Sequence, residues 1–316
     1  MASGAVKWRQ PDPRQAMVYT IPSQSYVCAV RHIITLSTIP PRFAGIGQTL
    51  AGLLQQSSRP EAVELYIPRT YRRFPQWGGG LPEVPSGVRI VRVEDDLGPA
   101  TKILPAARAY RGQAVDLLYV DDDYLFSRDW AQESLALRKA HPVAAICSAA
   151  GSVQASGRNW VADGPLPRAV PAPVPRLQAG FVLRRFLRRR FGFGPDRKGV
   201  RPAVQRLIRS GYADIAKGFG GVMVQPDYFD DLAYDIPQVL WSVDDIWLSG
   251  HLARRGIAIW ADRQLNRSVE FAQLSATHPL YGLVVDGANR LAANRACIDH
   301  MRRTYGIWGG EAVHST

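Results

Sequence analysis

The first half of the chain alternates short apolar runs with segments of helical spacing, and this alternation constrains the fold more than any other feature. Helical spacing is clearest from about Phe43 to Gln56, between the first two apolar runs. Strands joined by helices form right-handed crossovers and a mostly parallel sheet covered on both faces. The sequence therefore predicts an α/β fold. The runs typical of buried strands are HIITLS (His32 to Ser37), AVELYI (Ala62 to Ile67), GVRIVRV (Gly87 to Val93), VDLLYV (Val115 to Val120) and VAAIC (Val143 to Cys147).

Positive charge is concentrated in one segment of a chain whose formal net charge is +12. Between Arg176 and Tyr212, ten Arg and one Lys stand against a single acid, Asp196. The Pro-rich stretch PLPRAVPAPVPRLQ overlaps the start of this segment and excludes a regular helix or a central strand there. We therefore predict four parts: an N-terminal extension (1–30), the first half of the α/β domain (31–150), a Pro/Arg-rich insertion (151–212), and a second half with a C-terminal helix (213–316).

The sequence predicts a cytoplasmic protein. No apolar run follows the basic residues of the N-terminus, so we expect no secretory signal, and no apolar window is long enough for a membrane span. The distant cysteines Cys28, Cys147 and Cys297 are typical of small buried residues in a reducing compartment. For the segment 176–212, where FVLRRFLRRR interleaves Phe and Leu with Arg, three roles are open: a solvated loop, peripheral contact with an anionic inner membrane leaflet, and binding of an acidic acceptor glycan.

Three consecutive aspartates, Asp121, Asp122 and Asp123, follow the apolar run LLYV. In an open α/β sheet, ligands bind outside the carboxyl ends of the strands. Clustered carboxylates there suit Mg²⁺ or Mn²⁺, which keep coordination positions open for phosphate oxygens and water. A divalent cation would also offset the repulsion between the three charges. The alternative is a solvated acidic turn or a helix N-cap.

Two other segments at strand ends suit a nucleotide. Lys102 follows Gly98 and Pro99 near the predicted start of a helix, and an ammonium beside helix N–H donors suits a phosphate. The stretch TLSTIPPR, from Thr35 to Arg42, is a strand end that breaks into a proline turn with hydroxyls and an arginine. An ordinary surface lysine and a simple strand-to-helix connector are the alternatives.

A second acidic site lies in SVDDIWLSGHLARRG. Ser242 and Asp245 have the spacing of a capping box, which makes Asp245 a candidate helix cap. A helix N-terminus also favours an ionised carboxylate, and a general base must be ionised to act. Both roles remain open for Asp245.

Glycines and tryptophans near this site are candidate sugar contacts. Gly218, Gly220 and Gly221 precede an apolar run and permit a close approach between backbone and sugar, although a glycine-rich turn with a bulge explains them as well. Trp241 and Trp247 could stack on sugar rings, but a buried aromatic side chain is the commoner outcome.

In their order along the chain, TIPPR, DLGPATK, YVDDD, GFGG and VDDIWLSGHLARRG resemble the glycosyltransferases of the GT-A fold, closest to the family-2-like bacterial enzymes. The resemblance extends from about His32 to Gly256, and the YGIW region near the C-terminus is also similar to the tails of these enzymes. It does not include the Pro/Arg-rich insertion. It implies a GT-A type fold, with a Rossmann-like, mostly parallel central sheet flanked by helices, and a nucleotide-sugar donor.

The resemblance also implies a metal site of the DxD type. Asp123 would be the direct ligand, Asp121 would lie nearer the ribose or donor sugar, and Asp122 would be the intervening residue. His278, in a predicted loop after the acidic helix, would supply a third ligand, and imidazole can bind Mn²⁺. The implied donor contacts are Thr35, Ser37, Arg42, Lys102, Asp121 and Asp122.

For catalysis, the resemblance implies an acidic pair, Asp244 and Asp245, in which the second acid acts as general base. Asp stands where Glu is common, which leaves the assignment between the two open. The implied acceptor and sugar contacts are Gly220, Gly221 and Trp247. The predicted activity is that of an inverting, hexosyltransferase-like enzyme that uses Mn²⁺ or Mg²⁺ and transfers a sugar, from a UDP-sugar by preference, to a glycan or a lipid-linked glycan.

Three other functions fit parts of the sequence less well. A nucleic-acid-binding protein would explain the net charge, but not its confinement to one insertion or the two acidic clusters. A nucleotidyltransferase on a related sheet would need a Gly-rich phosphate loop after the first strand, and TLSTIPPR has none. A glycoside hydrolase uses two carboxylates but needs neither a metal cluster nor a phosphate site at Lys102. We therefore expect no nucleic-acid partner.

Overall fold

The structure is a computed structural model that describes residues 31–154, 164–172, 200–202, 207–265, 268–279 and 289–309. Its strands are β1 (His32–Ser37), β2 (Ala62–Pro68), β3 (Val88–Val93), β4 (Asp116–Val120), β5 (Tyr124–Leu125), β6 (Ala145–Cys147), β7 (Ala150–Gly151), β8 (Val170–Pro171), β9 (Val200–Pro202), β10 (Leu207–Arg209), β11 (Gly211–Ala213), β12 (Ile215–Ala216), β13 (Val222–Val224), β14 (Ile259–Ala261) and β15 (Val269–Phe271). Its α-helices are α1 (Gly47–Leu54), α2 (Leu104–Ala109), α3 (Trp130–Ala140), α4 (Asp244–Arg254), α5 (Ala272–Ser275) and α6 (Arg290–Tyr305).

A mostly parallel, eight-stranded sheet forms the centre of the molecule, in the order β11-β14-β6-β13-β4-β1-β2-β3. Strand β1 is parallel to both β2 and β4, β3 is parallel to β2, and β14 is parallel to β6. Strand β13 runs antiparallel between β4 and β6, and β11 is an antiparallel edge strand beside β14. The predicted fold class, an α/β fold with a Rossmann-like sheet flanked by helices, is confirmed.

Strands β1 and β4 are apolar along their length because both faces of the sheet are covered. Ile33 and Leu117 are register partners and belong to one hydrophobic cluster, whereas Ile34 and Leu118, the next pair, belong to the cluster on the other side. A strand buried on both faces is expected to be continuously apolar instead of alternating. The same register brings the carboxyl ends of the two strands together, so the residues that follow them share one edge of the sheet.

The helices near this edge are shorter than the sequence predicts. A 3₁₀ turn from Pro40 to Gly45 precedes α1 in place of one continuous helix from Phe43, and another, from Gly98 to Lys102, precedes α2. Proline lies at the start of each turn, where its fixed φ favours a helical beginning and its missing N–H is not needed. These two turns carry Arg42 and Lys102 to the edge where the aspartates lie.

Little of the predicted insertion falls in the described residues. Within it, β8 and β10 form a two-stranded ribbon outside the central sheet, and β9 pairs with β15. Strand β11 already belongs to the central sheet, so the sheet resumes at Gly211. The segment FVLRRFLRRR lies outside the described residues, as does Cys28, whereas Cys147 and Cys297 are free and buried. Over the ranges that are described, no helix has the length and apolar character needed to cross a membrane.

Candidate active site

A cavity of about 330 Å³ lies at the carboxyl ends of β1 and β4. Its walls include three segments that are far apart in sequence, the turn after β1, the aspartates after β4 and the beginning of α4, and further residues come from the loops after β2 and β3 and from the C-terminal part of the chain. Its charged lining residues are Arg42, Arg73, Asp96, Lys102, Asp121, Asp122, Asp123, Asp244, Asp245, Glu270 and Arg290. The two acidic clusters singled out in the sequence therefore share one cavity.

Asp122, the middle aspartate, is bound entirely by the protein. Thr38 donates its hydroxyl hydrogen to Asp122 at 2.5 Å, and the Arg42 guanidinium lies 2.5 Å from the other carboxylate oxygen. Thr49 in α1 donates to the Asp122 carbonyl at 2.8 Å. Asp122 is 5% exposed. This residue therefore connects the turn after β1 to the end of β4, and each of its carboxylate oxygens already has a partner in the protein.

Asp123 lacks such compensation. Its nearest cation is Arg42, whose guanidinium lies 3.4 Å away and is shared with Asp122. Burial, together with the charges of Asp122 and Asp121, raises the pKa of Asp123 to about 8. A buried carboxylate with two anionic neighbours is stabilised by a cation more than by any other ligand. The donor chemistry at Asp123 thus fits a divalent metal ion.

The third predicted metal ligand, His278, does not complete a metal site. His278 lines the same cavity, and its ring packs edge-to-face on Phe74 at a centroid distance of 5.5 Å. Within the described ranges, no group of three or more His, Cys, Asp and Glu side chains is arranged to hold a metal ion. The structure therefore does not assemble the predicted set of Asp121, Asp123 and His278. A metal at Asp123 would need oxygen ligands from a bound molecule or from water.

Lys102 is buried between two carboxylates. Its ammonium contacts Asp121 and lies 2.7 Å from Asp244. Burial alone would lower the pKa of Lys102, but the two aspartates raise it well above the ordinary value. At 3% exposure Lys102 is not an ordinary surface lysine. It joins the end of β4 to the start of α4, so its first role is to hold the two acidic clusters together.

Asp245 does not cap α4. The N-cap residue is Val243, no side chain caps this helix, and the Asp245 carboxylate instead accepts a hydrogen bond from the backbone N–H of Gly218 at 2.8 Å. The capping-box interpretation of Ser242 and Asp245 is therefore wrong. Burial, followed by repulsion from Asp244, raises the pKa of Asp245 to about 6.

Asp244, the other member of the acidic pair, has the opposite shift. Although burial works against its ionised form, Lys102 and Arg290 lower the pKa of Asp244 below the ordinary value. Asp244 is thus a permanent counter-ion of Lys102, whereas Asp245 can bind and release a proton near neutral pH. This difference distinguishes two residues that the sequence alone left equivalent.

Each glycine of GFGG is required for a different steric reason. A Cβ on Gly218 would collide with the Lys102 ammonium and come within 3.0 Å of an Asp121 carboxylate oxygen. A Cβ on Gly220 would collide with Ser148, and one on Gly221, which has φ +76°, would collide with Trp130. The expectation that Gly220 and Gly221 face a sugar is not supported, because both pack against protein. Gly218 is the glycine beside the charged groups.

Two other predicted contacts lie away from the cavity. Trp247 is 1% exposed and donates its indole N–H to the Ala233 carbonyl at 2.8 Å, so it belongs to the core and cannot stack on a sugar. Thr35 is fully buried within β1. The hydroxyls that reach the cavity are those of Ser37 and Thr38, because these residues lie at and just beyond the carboxyl end of β1, whereas Thr35 lies inside the strand. Trp241, in contrast, lines the cavity.

Asp96 is a lining residue that the sequence analysis did not single out. It follows β3, and its carboxylate accepts backbone N–H bonds from Arg72 at 2.8 Å and Gly98 at 2.9 Å. Trp241 donates its indole N–H to the Asp96 carbonyl at 2.9 Å. The rule that pointed to the aspartates after β4, an acid at a strand's carboxyl end, would also have found Asp96.

Three more lining residues had no usable signal in the sequence. Glu270 lies in β15, too short a strand to stand out, and accepts a hydrogen bond from the Ser275 hydroxyl at 2.6 Å. Arg290 begins α6, and Arg73 lies in the loop after β2 and donates to the His278 carbonyl at 3.1 Å. Glu270 and Arg290 reach the cavity because β15 and α6 return to it late in the chain, whereas Arg73 reaches it from the loop after β2.

Comparison with known proteins gives only distant similarity. No protein-family model matches the sequence, and no curated protein matches it. Among solved structures, crystal structures of S. aureus TarS residues 1–349, one of them in complex with UDP, align with a TM-score of 0.37 and 12% sequence identity. Each alignment covers 74% of this chain and 58% of the TarS chain, so this chain spans less than two thirds of the structures it matches.

Proposed function

We propose that this protein is a metal-dependent, inverting glycosyltransferase that transfers a sugar from a nucleotide-sugar donor, with UDP-sugars favoured, to a hydroxyl of a glycan or lipid-linked glycan. One observation carries the proposal: Asp123 and Asp245, two buried acids with raised pKa values, line the same cavity and are separated by the ion pairs of Lys102. Asp123 would bind a metal ion, and Asp245 would accept a proton. These two functions are what the transfer of a group from a diphosphate requires.

The part of the cavity beside the turn after β1 suits a nucleoside. Tyr71 and Phe74 supply aromatic surface there, and Thr38 and Asp96 supply polar groups around it. A cavity of about 330 Å³ has the size of a small-molecule site. The nucleoside would occupy this part and direct its diphosphate toward Asp123.

Mn²⁺ or Mg²⁺ would be held by Asp123, with Asp121 as the second carboxylate. These ions are commonly bound by only one or two carboxylates, with substrate phosphate oxygens and water completing the coordination shell. When bound, the metal would neutralise negative charge on the leaving nucleoside diphosphate. Asp122, which is occupied by Thr38 and Arg42, would position the other two acids.

Asp245 would act as the general base. In its ionised form it would take the proton of the acceptor hydroxyl as that oxygen attacks the anomeric carbon from the face opposite the diphosphate, and displacement from one face inverts the configuration. A pKa of about 6 keeps Asp245 ionised at neutral pH yet basic enough to accept a proton in the transition state. Lys102 and Asp244 would hold the beginning of α4 in place during this step.

Two further parts of the proposal concern the surroundings of the enzyme. We place it in the cytoplasm, with segment 176–212 as a peripheral contact with the inner leaflet, because its ten Arg and one Lys are attracted to anionic lipid. Flotation of the protein with liposomes that contain anionic lipid tests this contact. Deletion of Arg176 to Arg209, which leaves β11 in place, should abolish flotation, whereas unchanged flotation would remove the segment from the proposal.

The central experiment measures ligand binding and turnover together. Nucleoside diphosphates and UDP-sugars are added with and without Mn²⁺ while the melting temperature is recorded, and release of the nucleoside diphosphate is then followed with a mixture of glycan acceptors. We expect Mn²⁺-dependent stabilisation by UDP and loss of turnover, with retained UDP binding, in Asp245→Asn. Stabilisation by none of these ligands would contradict the proposal, and salt-sensitive binding of nucleic acid would favour the rival function.

A further inference from the structure

Two cations in the neighbourhood of Asp245, Lys217 and Arg290, differ from Arg42 and Lys102. Arg42 and Lys102 each form ion pairs with two aspartates. In contrast, neither Lys217 nor Arg290 forms an ion pair with any carboxylate in the described part of the chain. Arg42 and Lys102 are therefore in direct contact with the acids of the site, whereas Lys217 and Arg290 act on Asp245 and Asp244 only through longer-range attraction.

Both of these cations lie close to the acidic pair. Lys217 immediately precedes Gly218, whose backbone N–H binds the Asp245 carboxylate at 2.8 Å. Arg290 lines the cavity together with Asp244 and Asp245. It is the first residue of α6, whose N-cap Asn289 accepts a hydrogen bond from the Ala292 N–H at 3.0 Å, so the positive end of the helix dipole adds to the charge of Arg290.

The position of Lys217 is fixed by packing. Its backbone N–H donates to the Ala149 carbonyl at 3.0 Å, and its side-chain Cε lies 3.4 Å from the place that a Cβ on Gly151 would occupy. The side chain therefore lies across β7, where glycine leaves room for it. Burial, and then repulsion by Arg290, lower the pKa of Lys217 despite the attraction of Asp245. Holding two partly buried cations near each other is unfavourable unless an anion joins them.

We infer that Lys217 and Arg290 bind a phosphate or carboxylate group of the acceptor, next to the hydroxyl that Asp245 deprotonates. The inference rests on the proposed function, because the role of Asp245 is what assigns this side of the cavity to the acceptor. The donor diphosphate belongs with Asp123, on the other side of the ion pairs of Lys102. A guanidinium and an ammonium together suit an anionic oxygen group, since each gives charge-assisted hydrogen bonds.

The test separates the donor site from the anion site by two titrations of the full chain. The first adds UDP with Mn²⁺ and measures affinity by calorimetry. The second adds glucose 6-phosphate, glucuronate or glucose to protein already saturated with UDP and Mn²⁺. We expect at least one of the two charged sugars to bind and glucose not to bind. Which charged sugar binds more tightly identifies phosphate or carboxylate as the group recognised.

Variants then locate the binding. Lys217→Gln and Arg290→Gln should each weaken binding of the charged sugar by roughly tenfold and leave the affinity for UDP unchanged. Lys139→Gln, at an exposed position near the end of α3, is the matched control and should change neither. Circular dichroism verifies folding, and Arg290→Lys, which keeps the charge, should recover part of the binding.

Several results would overturn the inference: equal binding of charged and neutral sugars, no binding of either charged sugar, competition between the charged sugar and UDP, or a loss of UDP affinity in the two variants. The last would assign Lys217 and Arg290 to the donor diphosphate. Failure of UDP to bind to the unaltered protein is a different result and contradicts the proposed function. Charged-sugar binding that still depended on Lys217 and Arg290 would then support the anion site alone.

Discussion

The ammonium of Lys102 lies 2.7 Å from the carboxylate of Asp244, and this buried ion pair fixes the beginning of α4 against the end of β4. Asp121 is the second partner of Lys102, so each acidic cluster contributes one residue to it. Asp245, although adjacent to Asp244, takes no part in the pair and binds the Gly218 backbone N–H instead. The two neighbours consequently have opposite pKa shifts, which makes their roles separable by experiment.

The first prediction concerns stability at neutral pH. The pKa of Asp245 rises from 3.8 to about 6 on folding, so the folded state binds this proton more tightly than the unfolded chain does. The resulting cost to stability is absent below about pH 4, develops as pH rises, and is complete above about pH 6. Asp245→Asn removes that cost and should raise the free energy of unfolding at pH 7 by about 1 to 3 kcal/mol. Urea denaturation at pH 7 measures this change in the free energy of unfolding.

Asp244→Asn is the control for this prediction. Its pKa is lowered in the folded protein, so its ionised form stabilises the fold above the ordinary pKa, and that stability is lost as pH falls through the folded value. The variant leaves Lys102 with one carboxylate fewer and should be less stable at pH 7 by roughly 3 kcal/mol. Equal destabilisation by both variants would show that Asp245 is a structural residue like its neighbour.

The second prediction concerns the pH dependence of turnover. Because a base must be ionised, the rate of nucleoside diphosphate release from a UDP-sugar with acceptor should rise with pH and level off above about 6. Below that pH the rate should fall by about tenfold per pH unit. Initial rates in buffers of constant ionic strength measure the profile. A rate independent of pH between about 5 and about 7 would exclude Asp245 as the base.

The third prediction separates Asp123 from Asp122. Asp123→Asn removes a carboxylate whose pKa is raised to about 8, so the protein without metal should become more stable while the Mn²⁺-dependent part of UDP affinity disappears. Asp122→Asn removes the ion pair with Arg42 but should keep most of the Mn²⁺-dependent part of UDP affinity, because the carboxylate oxygens of Asp122 are bonded to Thr38 and Arg42. Denaturation without metal and UDP titration with and without Mn²⁺ measure both. A Mn²⁺ effect that survives in Asp123→Asn would place the metal elsewhere.

The fourth prediction concerns Gly218. Gly218→Ala would place a methyl group against the Lys102 ammonium and near Asp121, so the ion pairs must shift. We expect turnover to fall by at least about tenfold and stability by about 1 to 3 kcal/mol. Gly52→Ala, in α1, meets no atom within 4 Å and should be neutral or slightly stabilising. Full activity of Gly218→Ala would mean that the cavity tolerates displacement of Lys102.

Much of the fold could be predicted from local patterns. The bounds of β1 agree with the apolar run HIITLS, and β2, β3 and β4 lie within a residue of their predicted limits. Continuous apolar runs indicate buried parallel strands, since each face needs its own apolar residues. The short strands β7 to β10 could not be predicted, because two or three residues carry no periodicity.

The sequence by itself determined the central sheet and the presence of two acidic clusters at its edge, because hydrophobic periodicity and the position of charge after a strand are local properties. Only the tertiary structure decided what each acid does. Lys102 and Arg290 lower the pKa of Asp244, whereas burial raises the pKa values of Asp122, Asp123 and Asp245, and in Asp122 it does so despite the ion pair with Arg42. Burial and the distance to a counter-charge set these differences, and both depend on residues that meet only when the chain has folded.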